Sequence, residues 1–69
     1  MSVGRVTEIT AMSQTSFDDA VQQGIERANK TLRNVKHAWV KEHEVYIENG
    51  RISGYEVTMK VTFILEDPS

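Results

Sequence analysis

One amphipathic stripe, set in a chain whose other stretches all read as strand, limits the folds open to these 69 residues. From Ser16 to about Val35, the residues Phe17, Ala20, Val21, Ile25, Ala28, Leu32 and Val35 recur mainly at steps of three and four, with Gly24 in the same row. At ~3.6 residues per turn this spacing gathers them along one side of a helix. The other side carries Asp18, Asp19, Gln22, Gln23, Glu26, Arg27, Asn29, Lys30 and Arg33. Ser16 stands at the N-cap position with Asp19 three residues on, a variant of the capping box. Asp18 and Asp19 lie near the positive end of the helix dipole, and Lys30 and Arg33 suit the negative end, with Asn34 and Val35 closing the last turn. There is no second helix to cover the apolar side, so a sheet must do it.

The flanking runs supply that sheet. Val3 to Thr10 (VGRVTEIT) is rich in β-branched residues and reads as a strand, with Val6 and Ile9 on different parities, which implies a bulge or a change of face. Ala11 to Thr15 reads as a short polar connection into the helix cap. The chain turns extended again from about Lys36 to Glu48, meets Asn49-Gly50, and alternates from Arg51 to Leu65 before Glu66-Asp67-Pro68-Ser69 breaks the pattern. Asn-Gly between two strands predicts a type I′ hairpin turn, which needs positive φ at both central residues. A two-residue turn sets Glu48 opposite Arg51 and Ile47 opposite Ile52. Counting back, Val40 meets Met59 and Ala38 meets Val61 on the core face. On the other face Trp39 meets Lys60, Lys41 meets Thr58 and His43 meets Glu56, unless a bulge slips these pairings by one. The expected fold is α+β, with order β-α-β-β: a three-stranded antiparallel sheet wrapped around one helix, the N-terminal strand beside the C-terminal one, in a single domain over residues 1–69.

A domain this small buries only about 60% of the surface of its unfolded chain. Below ~70–80 residues, stable folds usually draw on disulfides, a metal, very regular packing or a partner chain. With no Cys and only two His, oligomerisation is the expected source of further burial. The net charge of −2 offers no basic excess for a phosphate backbone, so nucleic acid is not an expected partner. No run approaches the ~20 apolar residues of a membrane span, and the N-terminus carries no signal-peptide h-region, so a soluble, cytoplasmic protein is expected. No nucleophile stands with a base and an orienting group, and the expected class is not an enzyme.

Several features in order now have a family counterpart. Ser13 and Ser16 lead into a helix opened by Phe17 and Ala20; Arg27-Ala28 and Thr31-Leu32-Arg33 follow; then come the long hairpin, a closing VTMKVTF strand (residues 57–63) and Leu65-Glu66. Along almost its whole length the chain resembles a dodecin. The resemblance implies a hollow homododecamer of cubic symmetry built from trimers, which binds and stores a small ligand without catalysis. Flavin (FMN or riboflavin) is the family's usual ligand, coenzyme A is a ligand of bacterial members, and some members hold calcium instead.

In flavin-binding dodecins a Trp soon after the Thr-Leu-Arg segment stacks on the isoalloxazine ring. Ungapped alignment puts His37 at that place, with Trp39 two residues on and on the same face of the strand if no bulge intervenes. A Gln that hydrogen-bonds the flavin edge is replaced by Glu56, which when ionised only accepts, whereas Gln both donates and accepts. The cofactor-binding candidates are therefore His37, Trp39 and Glu56. Trp39 reads equally as a stacking platform or as packing between subunits, His37 as an interface or solvent residue ahead of a ligand contact, and His43 with Glu56 as a satisfied cross-strand pair. Glu42, Glu44 and Glu48 form either a solvated strand or a cation site around a symmetry axis; Met1, Met12 and Met59 read as ordinary apolar residues. The alternatives to a flavin store are a dodecin-type shell holding calcium or coenzyme A, and a protein-interaction module offering a strand edge.

Overall fold

Four elements follow one another: β1 (Val3–Ser13), α1 (Phe17–Thr31), β2 (Val35–Glu48) and β3 (Arg51–Leu65). The strands form one antiparallel sheet in the order β1-β3-β2, with α1 packed on one face. This is a computed structural model, and it describes residues 3–65, so the segment 66–69 expected to end β3 lies outside the described residues, as does Met1. Among the described residues, no helix is long and apolar enough to cross a membrane.

The start of α1 follows from its cap. Ser16 Oγ accepts the Asp19 backbone N–H at 3.0 Å. The reciprocal half of a capping box is taken over by Ser13, which is buried at the end of β1. Its Oγ accepts the N–H groups of Thr15 (2.9 Å) and Ser16 (3.4 Å) and donates to Asp19 Oδ2 at 2.6 Å. The strand-to-helix junction is thereby fixed at both ends.

The end of β1 and the end of α1 both correct the sequence reading. β1 continues to Ser13 instead of ending at Thr10, because Ala11, Met12 and Ser13 still pair with Val57, Glu56 and Tyr55. Ala11 packs against the core, where its small side chain leaves room for the helix. The helix stops at Thr31 instead of near Val35. Leu32 is its C-cap, with its N–H donating to Ala28 O at 2.8 Å, and Asn34 takes φ 57°, reversing the chain. Asn tolerates this left-handed conformation. Its carbonyl accepts the Ile64 N–H at 3.1 Å and its side chain donates to Ile64 O at 3.4 Å. Pairing with β3 therefore wins over another helical turn, and Val35 opens β2 opposite Phe63.

Val57, Met59 and Val61 of the central strand are fully buried, with Ala20 above them and Ile9, Ala11, Phe17, Val21, Ile25 and Val40 around. Each such burial contributes about 1.5–3 kcal/mol. The closest approach is at Gly24, where an added Cβ would lie 2.6 Å from Met59 Cε and 3.0 Å from Ala11 Cβ. β1 pairs with β3 without interruption, so the parity break between Val6 and Ile9 is a change of face: Ile9 joins the core and Val6 points away from the helix, exposed.

The hairpin turn is type I′ as expected, with φ 53° at Asn49 and 74° at Gly50. Glu48 faces Arg51 and Ile47 faces Ile52; further down, Val40 faces Met59, Trp39 faces Lys60 and Ala38 faces Val61. Between these two matching stretches the register differs. An extra residue on β3, Ser53, slips the pairing by one, and an extra residue on β2, Lys41, restores it. Residues 42–46 therefore present the faces opposite to those expected. Glu42, not Lys41, faces Thr58, and Glu44, not His43, faces Glu56. His43 turns to the helix side, where its ring meets Phe17 edge-on at 4.7 Å, with Tyr55 5.1 Å from Phe17 on the same face.

Gly50→Val should cost about 1–2 kcal/mol through positive φ at a β-branched residue, read as a lower melting temperature; unchanged melting would refute the turn assignment. Gly24→Val should lift α1 off the sheet and destabilise by about 1–3 kcal/mol through overpacking. Denaturant unfolding measures this, and a neutral result would mean that Met59 swings aside freely.

Candidate functional site

Residues 37–40 keep a single register with β3, so alternation assigns their faces. Ala38 and Val40 lie opposite the buried Val61 and Met59 on the helix side. His37 and Trp39, opposite Thr62 and Lys60, share the face turned away from the helix. Both are exposed, Trp39 by 49%. Lys41 reaches across β3 to Glu8, which pairs with Lys60, at 3.5 Å. The pair is exposed and worth about 0–1 kcal/mol.

Glu56 occupies the same outer face but not the same spot. It lies four residues along β3 from Lys60, a separation of roughly 13 Å at the strand rise. Within one protomer the structure thus brings His37 and Trp39 together and leaves Glu56 apart. The expected pairing of His43 with Glu56 does not form, because the bulges turn His43 toward Phe17. The partner of Glu56 is Tyr46, whose hydroxyl donates to Glu56 Oε1 at 2.6 Å. Glu44 lies directly opposite Glu56, and Met12 flanks it from β1, exposed on this outer face and not in the core.

Tyr46, and the place of Glu44 opposite Glu56, escaped the sequence reading because a strict alternation sends both residues to the helix side. The signal present was Gly54, since a glycine inside a strand marks a bulge or a close approach. Gly54 lies opposite Tyr46, and a Cβ placed there would sit 3.5 Å from Tyr46 Cδ2. The ring leans across this gap to its diagonal neighbour, Glu56. The hydrogen bond to Glu56 holds the Tyr46 phenol above its ordinary pKa of 10.0, with slight desolvation and the charges of Glu56 and Glu44 acting in the same direction.

Within one protomer the three acidic candidates do not converge. Glu42 and Glu44 lie on the outer face, while Glu48 pairs with Arg51 at the turn. Among the described residues, no three His, Cys, Asp or Glu side chains are placed to hold a metal ion. Two hollows of about 510 and 560 Å³ are present. One runs between β1 and α1 over Ile9, Ala11, Gly24 and Ala28. The other lies at the helix N-terminal end beside Tyr46 and Gly54. Neither is lined by His37, Trp39 or Glu56. Trp39 is an open platform, which grips a flat ligand only if a second surface closes over it.

The sequence model of the family described as Dodecin matches residues 3–66. A dodecin of Thermus thermophilus is 32% identical over 65 residues, covering 94% of each chain. The solved dodecin from Streptomyces davaonensis superposes with a TM-score of 0.91 at 38% identity, over 96% of this chain and 97% of its own. The Mycobacterium tuberculosis calcium dodecin, a calcium-chelating antigen with a calcium-binding site, superposes with a TM-score of 0.81 at 26% identity, over 99% of this chain and 97% of its own.

The Tyr46–Glu56 bond has a titration signature. Because the folded-state pKa is raised, its stabilising contribution is complete below pH 10.0 and is lost as pH rises through the folded value. Glu56→Gln should bring the Tyr46 ionisation down toward 10.0, followed by the chemical shift of its phenol carbon. An unmoved titration would show that the bond does not form in solution.

Proposed function

The chain belongs to the dodecin family, and from that membership we propose that it is a non-enzymatic homododecamer, built from trimers, that holds a flat ligand of the flavin class (FMN or riboflavin) between subunits. The observation that carries this reading is Trp39: a large aromatic, half exposed, on the sheet face that no element of its own chain covers. Stacking on such a platform contributes about 1–3 kcal/mol per aromatic base. Trp39 serves as the stacking surface in place of His37, which flanks it. Glu56 meets the ligand edge from a neighbouring subunit, since its distance from Trp39 within a protomer is too great for both to hold one ring edge-on.

Assembly is supported by what one chain leaves bare. Ile47 and Ile52 are 68% and 54% exposed at the hairpin end, Val45 is uncovered beside them, and β1 and β2 are both open edges. Such edges and patches favour association. Calcium, which the Mycobacterium tuberculosis relative chelates, is the competing ligand. Its seat would need carboxylates from several subunits, because one chain's described residues bring no three together.

Titration with FMN and riboflavin, followed by flavin fluorescence on a sizing column, tests both parts. Quenched flavin should travel with a particle about twelve times the 7.8 kDa chain. Trp39→Ala should weaken flavin binding about tenfold or more with particle size unchanged. A monomer overturns the assembly, and a full-sized particle that ignores flavin overturns the ligand.

A further inference from the structure

The outer face of the sheet is divided by charge along its length. Three successive register rows carry Tyr46 and Gly54; Glu44, Glu56 and Met12; and Glu42, Thr58 and Thr10. They contain three carboxylates and no cation. Cations on this face stand on either side of these rows: Lys60 in the row of Trp39 and Lys41 bound to Glu8 at one end, and Arg51 opposite Glu48 at the turn. Glu44 and Glu56 are directly opposed, an arrangement that is unfavourable for like charges.

Tyr46 gives this end its chemistry. Its hydroxyl is committed to Glu56 Oε1 at 2.6 Å, a length typical of a charge-assisted bond. The bond holds one oxygen of Glu56 and leaves the other, with both oxygens of Glu44, as acceptors. The geometry exists because the bulges at Ser53 and Lys41 carry Glu44 and Tyr46 onto the face of Glu56. Bulges often re-aim side chains in this way beside binding sites.

We propose that Tyr46 is a positioning residue that fixes the Glu56 carboxylate as an acceptor, so that this face selects an uncharged flat ligand with N–H or O–H donors at its edge and rejects one bearing a phosphate. The inference rests on the flavin-class reading above. A donor edge satisfies Glu56 and relieves its opposition to Glu44. A phosphate over these three rows meets three carboxylates, while Lys41 is tied to Glu8 and Arg51 lies opposite Glu48.

Riboflavin and FMN differ by the phosphate alone and are the probes. Their affinities are compared by fluorescence quenching for the wild-type assembly and for Tyr46→Phe, Glu56→Gln and Glu44→Gln, with particle size and melting recorded for each. Wild type should hold riboflavin about tenfold or more tighter than FMN, the scale of one or two unfavourable charge contacts near a surface. The ratio should shrink with added salt and fall several-fold in Glu56→Gln and Glu44→Gln. Tyr46→Phe should reduce it as well, through a loosened Glu56. Loss of packing alone would weaken both flavins together and leave the ratio unmoved. Equal or tighter FMN binding by wild type, or a ratio indifferent to salt and to all three variants, overturns the proposal while the flavin reading stands. An intact particle that binds neither flavin overturns the flavin reading, and the selectivity falls with it.

Discussion

One short helix must stabilise a much longer sheet, and the architecture answers to that disproportion. Fifteen helical residues extend about 22 Å, while the molecule measures 57 Å along its greatest axis. Where α1 does lie on the sheet the contact is close, with Gly24 allowing it to settle against Met59 and Ala11. Val57, Met59 and Val61 lose all contact with water there. Beyond the helix, β2 and β3 continue as a bare ribbon ending in Ile47 and Ile52. A two-stranded ribbon has no independent stability in water. Its length and apolar tip make sense in a chain that finishes its burial with copies of itself.

The same disproportion explains where a ligand can go. The helix side of the sheet is occupied; of the two hollows beside α1, one carries no aromatic side chain and the other has only Tyr46, whose hydroxyl is bound to Glu56. The outer face is free along its whole length and carries Trp39, the one indole in the chain. An open face does not enclose a ligand, so the proposed function couples binding to assembly, with a second subunit as the surface that closes the site. Ligand binding would then stabilise the assembled state over the free chain by mass action.

Most of the fold was legible because it rests on local signals. The stripe from Phe17 to Ala28, the Ser16 cap, the Asn49-Gly50 turn and the alternation of residues 55–63 each have a short-range physical cause, and each element appears where its cause lies. The helix end was misread because Leu32 and Val35 continue the apolar period, while the competing long-range pairing of Asn34 with Ile64 leaves no periodic trace. The site was only half legible. His37 and Trp39 fall in a stretch where the register counted from the turn holds, so their shared face could be read directly. The partner of Glu56 could not, because the bulges at Ser53 and Lys41 are opposite in sense: the pairs at the turn and those of residues 37–40 agree with the simple count, while residues 42–46 between them are re-paired.

That cancellation has a consequence for how such a site changes. A single bulge would flip every residue beyond it and expose the core side of β2, at a cost the fold could not absorb. Two compensating bulges confine the shifted pairing to residues 42–46 and leave Val40 and Ala38 against Met59 and Val61. The ligand face can therefore exchange a histidine for a tyrosine and a glutamate opposite Glu56 without disturbing the packing under Trp39. Here the swap installs a donor that is already spent on Glu56 and a second carboxylate facing it. The polarity of the site thus depends on register as much as on residue identity. Removing both bulges would return His43 to the outer face opposite Glu56 and turn Tyr46 to the helix side.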